Sequence, residues 1–314
     1  MRERIVPQGY QADYFFQKVE RTNFMTSGPL VSVIMSMQNA SATVRDTILS
    51  LQWQTLKDWE LILFDDGSTD NSSSIVSKIS DPRIRLTADG ERRGLAARLN
   101  QAVAMARGRF VARIDADDVC FPTRLERQVA YLELHPEIDL VASRAVVFSN
   151  RDPIGILAVG TSHNDLVRYP FRGFRFPHPT WCGRVEWFRA NPYDASLAKT
   201  QDQDLLLRSY RHSTFGGLQE VLVGYRQHRL EIKKLLRGRI IFIQSLWRYG
   251  RALGPLPAVF AGMASHFIKA IVDTATLSVG LNRWQQKRRL EIVPTDVRKL
   301  WLQLYTELKM HSKA

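Results

Sequence analysis

VSVIMSMQNA at residues 31–40, FDDGSTD at 64–70 and ARGRFVARIDADD at 106–118 share one grammar: a short apolar stretch that runs into amides or carboxylates. Runs such as VSVIM suit strands buried on both faces, as strands of parallel sheets are. Helical patterns separate them. Residues 42–54 place Val44, Ile48 and Leu51 on one face, 70–79 form a short helix that Asp70 can cap, and 94–107 are Ala-rich and close at Gly108. With strands expected over 30–37, 60–64, 84–86 and 110–114, the alternation predicts βαβ units. The fold class is α/β, a mostly parallel sheet flanked by helices. Residues 123–135 read as a helix stopped by Pro136, and 138–148 as a strand. Residues 150–228, carrying Pro153, Pro170, Pro177, Pro179 and Pro192, read as short strands, loops and a helix over 202–211.

Ligands of open parallel sheets bind beyond the carboxyl ends of the strands. Gln38-Asn39, Asp65-Asp66 and Asp115 to Asp118 all fall at such ends, so they belong on one rim. Aspartates also cap helices and hold turns. Five carboxylates on one rim, however, repel one another unless a cation or hydrogen-bond donors join them. Asp-x-Asp is well suited to Mg²⁺ or Mn²⁺, which take oxygen ligands and leave room for substrate phosphates. The chain has no GxxxxGK[ST] and no GxGxxG after its first strand, which argues against a P-loop NTPase and a dinucleotide enzyme.

Taken in order, VSVIMSMQNA, FDDGSTD, ARGRFVARIDADD and PTRLERQ (122–128) resemble the nucleotide-sugar domain of family 2 glycosyltransferases over residues 30–228. The resemblance implies a GT-A (Rossmann-like) fold and an inverting transferase. It divides the chain into an N-terminal arm (1–29), a nucleotide-sugar half (30–120), an acceptor half (121–228) and a basic helical C-terminal region (229–314). Asp66 would accept a hydrogen bond from the base N3–H of a UDP-type donor, while Asp65 holds the turn. Asp117 would bind the metal, with Asp115 or Asp118 touching the ribose or a metal-bound water. The candidate nucleotide-sugar contacts are Asn39, Asp66, Arg93, Asp115 and Arg226. The candidate metal ligands are Asp117, Asp118 and His228.

HPT at 178–180 and TQDQDLLLR at 200–208 match the acceptor-side segment, which places the general base on Asp202 and leaves Asp204 a structural role. Gln201 stands where the family usually has Glu. The first strand ends in Ser36-Met37-Gln38-Asn39, without the family's usual aromatic. The QxxRW of processive synthases is absent, which favours transfer of a single sugar.

The charge is uneven. Residues 229–314 hold 16 basic and 5 acidic side chains, against 28 and 26 in residues 1–228. A basic segment of this kind meets an anionic partner, a membrane surface or nucleic acid. Between 256 and 273, Leu256, Val259, Phe260, Met263, Phe267 and Ile271 fall on one helical face and Gly262, His266, Lys269 and Asp273 on the other. The apolar face can pack on the catalytic domain. Alternatively it lies in a membrane interface, flanked by Lys233, Lys234, Arg237, Arg239 and by Lys287, Arg288, Arg289, with Trp247, Tyr249, Trp284 and Trp301 at headgroup level.

The first 28 residues carry seven charges and no apolar core of a signal peptide, and Cys120 and Cys182 stand alone. The expectation is a cytoplasmic enzyme, peripheral on the inner face of the cell membrane. It would move one sugar from a nucleotide-sugar to a hydroxyl of a saccharide or lipid-linked acceptor, with no nucleic acid as partner. Two competing readings are a nucleotidyltransferase of related fold, which normally has a Gly-rich basic N-terminal loop that this chain lacks, and a noncatalytic nucleic-acid binder, which only the tail's charge supports.

Overall fold

The computed structural model describes residues 28–228, 231–287 and 290–312. The expected arm at 1–29 and the pair Arg288-Arg289 lie outside the described residues, apart from Gly28 and Pro29. Nine strands form one sheet: β1 (Val31–Met37), β2 (Trp59–Asp65), β3 (Ile84–Ala88), β4 (Phe110–Arg113), β5 (Val119–Cys120), β6 (Leu140–Phe148), β7 (Pro153–Leu157), β8 (Cys182–Arg184) and β9 (Phe215–Arg226). The helices are α1 (Val44–Gln52), α2 (Ser72–Ser77), α3 (Leu95–Met105), α4 (Arg124–Leu134), α5 (His163–Leu166), α6 (Val185–Ala190), α7 (Gln201–Ser209), α8 (Ile232–Leu253), α9 (Leu256–Ser278), α10 (Asn282–Lys287) and α11 (Thr295–Ser312).

The strand order is β3-β2-β1-β4-β8-β6-β9-β5, with β7 on β6. β3, β2, β1, β4, β6 and β9 share one direction, and β5, β7 and β8 oppose it. The sheet is therefore mixed and mostly parallel, as the alternation predicts.

Alternation within the strands builds two cores. Ile34, Ile62, Phe64 and Val111 face α3, whose Ala96, Leu99, Ala102 and Val103 cover them. Val33, Met35, Leu61, Leu63 and Ala112 face α1 and α4 through Val44, Ile48, Leu125 and Val129. β2 is buried along its whole length because helices close both faces. The first core extends through Leu205, Leu206 and Leu207 of α7 to Phe242 and Leu246 of α8.

The C-terminal helices serve different surfaces. α11 packs beneath β6 and β9, with Trp301 fully buried between Phe121 and Phe148. The placement of Trp301 at headgroup level is thereby corrected: β9 carries Gly224 directly under its ring, where a Cβ would come within 2.2 Å. Tyr249 is half-buried, while Trp247 and Trp284 are exposed. α8 and α9 form an antiparallel pair outside α7. α9 does pack on the body of the protein, but with the opposite face from the expected one. Gly262 lies against Phe171, His266 against the Phe242 ring at 4.8 Å, and Asp273 pairs with Arg239 (Nε–Oδ2 2.7 Å). Of the apolar stripe, Val259 is buried and Met263 half-buried, whereas Leu256, Phe260, Phe267 and Ile271 face outward.

Candidate active site

The carboxyl ends of β1, β2 and β4 bring the three polar clusters to one rim, and each loop is fastened to its neighbour. Asn39 has φ 51°, one of two non-glycine residues with positive φ among the described residues. Amide side chains tolerate that region better than most. Its Oδ1 accepts from Thr69 N at 2.8 Å, and its own N–H donates to Ser68 Oγ at 2.9 Å. Asn39 thus ties the first loop to the Asp65–Asp70 loop. Gly67 turns that second loop at φ 68°, and Asp65 holds it as expected: Oδ1 accepts from Ser68 N at 2.8 Å and Oδ2 from Ser73 Oγ.

Asp66 sits deeper, only 5% exposed. Its Oδ1 accepts from Arg93 N (2.7 Å), Gly94 N (3.0 Å) and Arg98 Nε (3.1 Å), and Gly94 N also reaches Oδ2 at 3.1 Å. Oδ1 is committed to the chain, so Oδ2 is the oxygen with capacity left for a ligand donor. Arg93 contributes to this junction through its backbone; its guanidinium lies toward Asp89 at 3.4 Å. Arg98, fully buried on the inner face of α3, completes the junction through Asp89 at 2.6 Å. Its signal in the sequence was a lone cation within an Ala-rich helix.

After β4 come Asp115, Asp117 and Asp118, each of which offers one carboxylate oxygen within 4.8 Å of the other two. Asp118 is fully buried. Its Oδ1 accepts from Arg226 N at 2.7 Å, and its Oδ2 has no hydrogen-bond partner among the described residues. Burial pushes this carboxyl well above the usual range, and the Asp115 and Asp117 charges add to the effect. Burial also raises Asp115, with the Arg113 guanidinium opposing. A buried carboxylate oxygen with no donor, beside two further carboxylates, is a poor arrangement for the protein alone and a good one for a hard divalent cation. The residues present therefore fit an Mg²⁺ or Mn²⁺ ion.

The end of β9 reaches the same cluster. Arg226 Nε donates to Asp117 O at 2.8 Å, and its guanidinium lies over Phe148 at 4.5 Å. Arg226 thus fastens the metal loop through both its backbone and its side chain. His228 Nε2 lies 2.7 Å from Asp117 Oδ2.

Asp202 is the second residue of α7, which starts after Thr200 at φ 56°. Its Oδ2 accepts from Gln203 Nε2 at 3.4 Å. Burial raises its carboxyl above the ordinary value, and its charge is felt at Asp115 and Tyr193, which places it on the same side as the triple cluster. Asp204, two residues on, points elsewhere: it accepts from Arg208 Nε at 2.8 Å and Ser245 Oγ at 2.7 Å.

Four side chains complete the surroundings without having been assigned a role from sequence. Arg113 pairs with Asp115 and is 2% exposed, with Nε and Nη1 lacking hydrogen-bond partners among the described residues. It was visible as a cation inside an otherwise apolar strand. His178, of the HPT segment, lies 2.8 Å from the Tyr193 hydroxyl. Burial, reinforced by Arg113, holds this imidazole well below its usual range, so it is neutral. Burial likewise pushes the Tyr193 and Tyr225 hydroxyls up, keeping both protonated.

The family model described as Glycosyl transferase family 2 matches residues 32–190, about half the chain and all three rim clusters. The chain belongs to glycosyl transferase family 2. This family 2 transferase is 33% identical over 279 residues to "Putative glycosyltransferase EpsE" of Bacillus subtilis (strain 168), covering 84% of this chain and 96% of that protein. It is 36% identical over 126 residues to the UDP-Glc:alpha-D-GlcNAc-diphosphoundecaprenol beta-1,3-glucosyltransferase WfgD of Escherichia coli, covering 40% and 49%. Among solved structures it resembles S. aureus TarS 1-349 in complex with UDP-GlcNAc (TM-score 0.59, 16% identity, 88% of this chain and 80% of that one). It also resembles the Pyrobaculum calidifontis mannosyltransferase PcManGT in complex with GDP-Man and Mn²⁺ (TM-score 0.58, 16% identity, 90% and 88%). The fold is GT-A, with a helical C-terminal region, and the activity class is glycosyl transfer.

Proposed function

We propose that this transferase moves a single sugar, with inversion, from a UDP-sugar to a hydroxyl of a lipid-linked or polysaccharide acceptor at the cytoplasmic face of the membrane. The observation that carries the reading is the triple carboxylate cluster, one of whose buried oxygens has no donor among the described residues, together with the half-buried Asp202 on another element. The UDP preference draws on the UDP-GlcNAc-bound neighbour and the UDP-Glc relative. The lipid-linked acceptor draws on that relative's diphosphoundecaprenol substrate.

Asp117 and Asp118, with Asp115 beside them, would hold the ion, and His228 is positioned to reach the same place. A bound divalent ion neutralises the diphosphate and makes the nucleoside diphosphate a better leaving group. Asp66 Oδ2 offers an acceptor for a base N–H, and the Asn39–Thr69 link sets the shape of the base-side loop. Asp202 takes the proton of the acceptor hydroxyl as that oxygen forms its bond to the anomeric carbon. The bond from the anomeric carbon to the diphosphate oxygen breaks on the opposite face, so configuration inverts. A carboxylate raised by burial is a stronger base than an exposed one, which suits Asp202 to this step.

The test is metal-dependent hydrolysis of a panel of nucleotide-sugars by the wild type, Asp117→Ala and Asp202→Asn. Turnover of UDP-sugars that needs Mg²⁺ or Mn²⁺ and falls in both variants supports the reading. Undiminished turnover in both variants overturns the site assignment.

A further inference from the structure

α9 is built inside out for a helix in water. Its inner face carries Gly262, His266, Lys269 and Asp273, each engaged by the protein: Lys269 Nζ, for example, donates to Arg172 O at 3.1 Å. Its outer face carries Leu256, Phe260, Phe267, Ile268 and Ile271, each between 46% and 64% exposed. The exposed Ala261 and Ala264 lie between them, and Ala275 follows one turn on. No charged side chain is exposed along this helix. The stripe runs from Leu256 to Ile271, about 23 Å along the helix axis. A contiguous apolar surface of this kind marks an interaction site.

The charges around the stripe identify the partner. The antiparallel pairing sets Arg239 beside Asp273 and Gly250 beside Val259. The first turns of α8 therefore lie beside the last turns of α9, and the end of α8 lies beside its start. Lys233, Lys234 and Arg237 are exposed at one end of the stripe and Arg251 at the other, where the exposed Arg248 also reaches Asp194 at 3.5 Å. Trp247, 56% exposed, stands under the Arg251 guanidinium at 5.3 Å. The acids on these two helices and the residue before them are Asp273, which is buried, and Glu231, which pairs with Lys234. Apolar side chains with cations at both ends complement an acyl–headgroup boundary rich in anionic lipid. Self-association through the same face would bring like charges together. The length and mean hydropathy of α9 would also allow a membrane span. Its inner face, however, is committed to α8 and residues 170–172, so it suits a helix lying along the surface.

We infer that the outer face of α8 and α9 docks on an anionic bilayer surface and thereby holds the acceptor half of the enzyme against it. The link to the site is direct. Ser245 of α8 bonds Asp204 of α7, and Gly238 of α8 lies beside Thr200, which precedes Asp202. Docking therefore fixes the element that carries the base relative to the bilayer. The inference rests on the proposed function for the acceptor and for the role of Asp202, while the docking surface itself does not.

The experiment is flotation of the full-length protein with phosphatidylcholine vesicles, with and without phosphatidylglycerol. The wild type should bind the phosphatidylglycerol vesicles at least about tenfold better, with binding weakened by salt. The double variants Phe267→Glu/Ile271→Glu and Lys233→Glu/Arg237→Glu should each lose about tenfold or more of that binding. Both should keep their melting temperature and their hydrolysis of free nucleotide-sugar. A wild type that stays with neither vesicle overturns the inference, as does binding that both double variants retain. A wild-type dimer that Phe267→Glu/Ile271→Glu converts to monomer also overturns it, because a second copy is then the occupant. Intact hydrolysis without vesicle binding defeats the docking surface alone, and vesicle binding without hydrolysis defeats the transferase reading alone.

Discussion

Asp202 and Asp204 stand two residues apart on α7, and replacing each in turn separates chemistry from architecture. Asp204 is 1% exposed and accepts from Arg208 Nε and Ser245 Oγ. A bond to a charged group is worth about 1.5–3 kcal/mol. Asp204→Ala removes both. Arg208 keeps access to water at 23% exposure, so its share lies at the low end, while the Ser245 hydroxyl is left in a buried site. The expected loss is about 3–5 kcal/mol, a large fraction of the roughly 5–15 kcal/mol that holds a domain folded. Asp204→Asn retains an acceptor for Ser245 and gives up only the ion pair, so its loss should be about 1–2 kcal/mol. Asp202→Asn should behave in the opposite manner. It removes a carboxylate whose ionisation burial disfavours, so stability holds or rises slightly, while turnover falls by about 10²–10⁴-fold. Urea unfolding measures the first quantity, and kcat with nucleotide-sugar binding measured separately gives the second. If Asp204→Asn kept wild-type stability yet lost turnover as deeply as Asp202→Asn, the division of roles between these two acids would be wrong.

Three further outcomes follow from the same structure. Asp202 acts as base only when ionised, and burial raises its carboxyl from an ordinary 3.8, so the acid limb of kcat should lie above that value and vanish from the residual activity of Asp202→Asn. The sign for stability is the reverse: the folded state holds this proton more tightly, so ionised Asp202 costs stability as pH climbs from 3.8 through the raised value. Mn²⁺ at about 100 times its dissociation constant should stabilise the wild type by about 2.7 kcal/mol in a thermal melt, and Asp117→Ala should show little of that gain. Gly224→Ala should cost about 1–3 kcal/mol by urea unfolding, because the added Cβ would meet the Trp301 ring at 2.2 Å inside a full core.

The parallel half of the fold was legible because periodicity and burial agree there. VSVIM and ELILF are apolar on both faces, and the helices between them carry single apolar stripes that meet those faces. The rim clusters followed, since any polar residue ending such a strand arrives at the same edge. Partnership was harder to read. Asp66 accepts from the backbone of Arg93 and Gly94 and from Arg98 on another helix, and no spacing rule links these residues. Trp301 reads as an interface aromatic within the basic C-terminal region, yet Gly224, seventy-seven residues earlier, leaves its ring a seat in the core. The orientation of α9 failed for a related reason. Amphipathicity shows that a helix has two faces, whereas which one turns inward depends on partners such as Arg239, Phe242 and Phe171.

The dependence of the donor site on Asp115, Asp117 and Asp118 is most directly examined by calorimetric titration of UDP into the wild type with Mn²⁺ and with chelator. UDP should bind in the presence of Mn²⁺, bind far more weakly in chelator, lose the Mn²⁺-dependent gain in Asp117→Ala and retain it in Asp202→Asn. Equal affinity with Mn²⁺ and with chelator, or an Asp117→Ala protein that still gains from Mn²⁺ as the wild type does, would contradict the account.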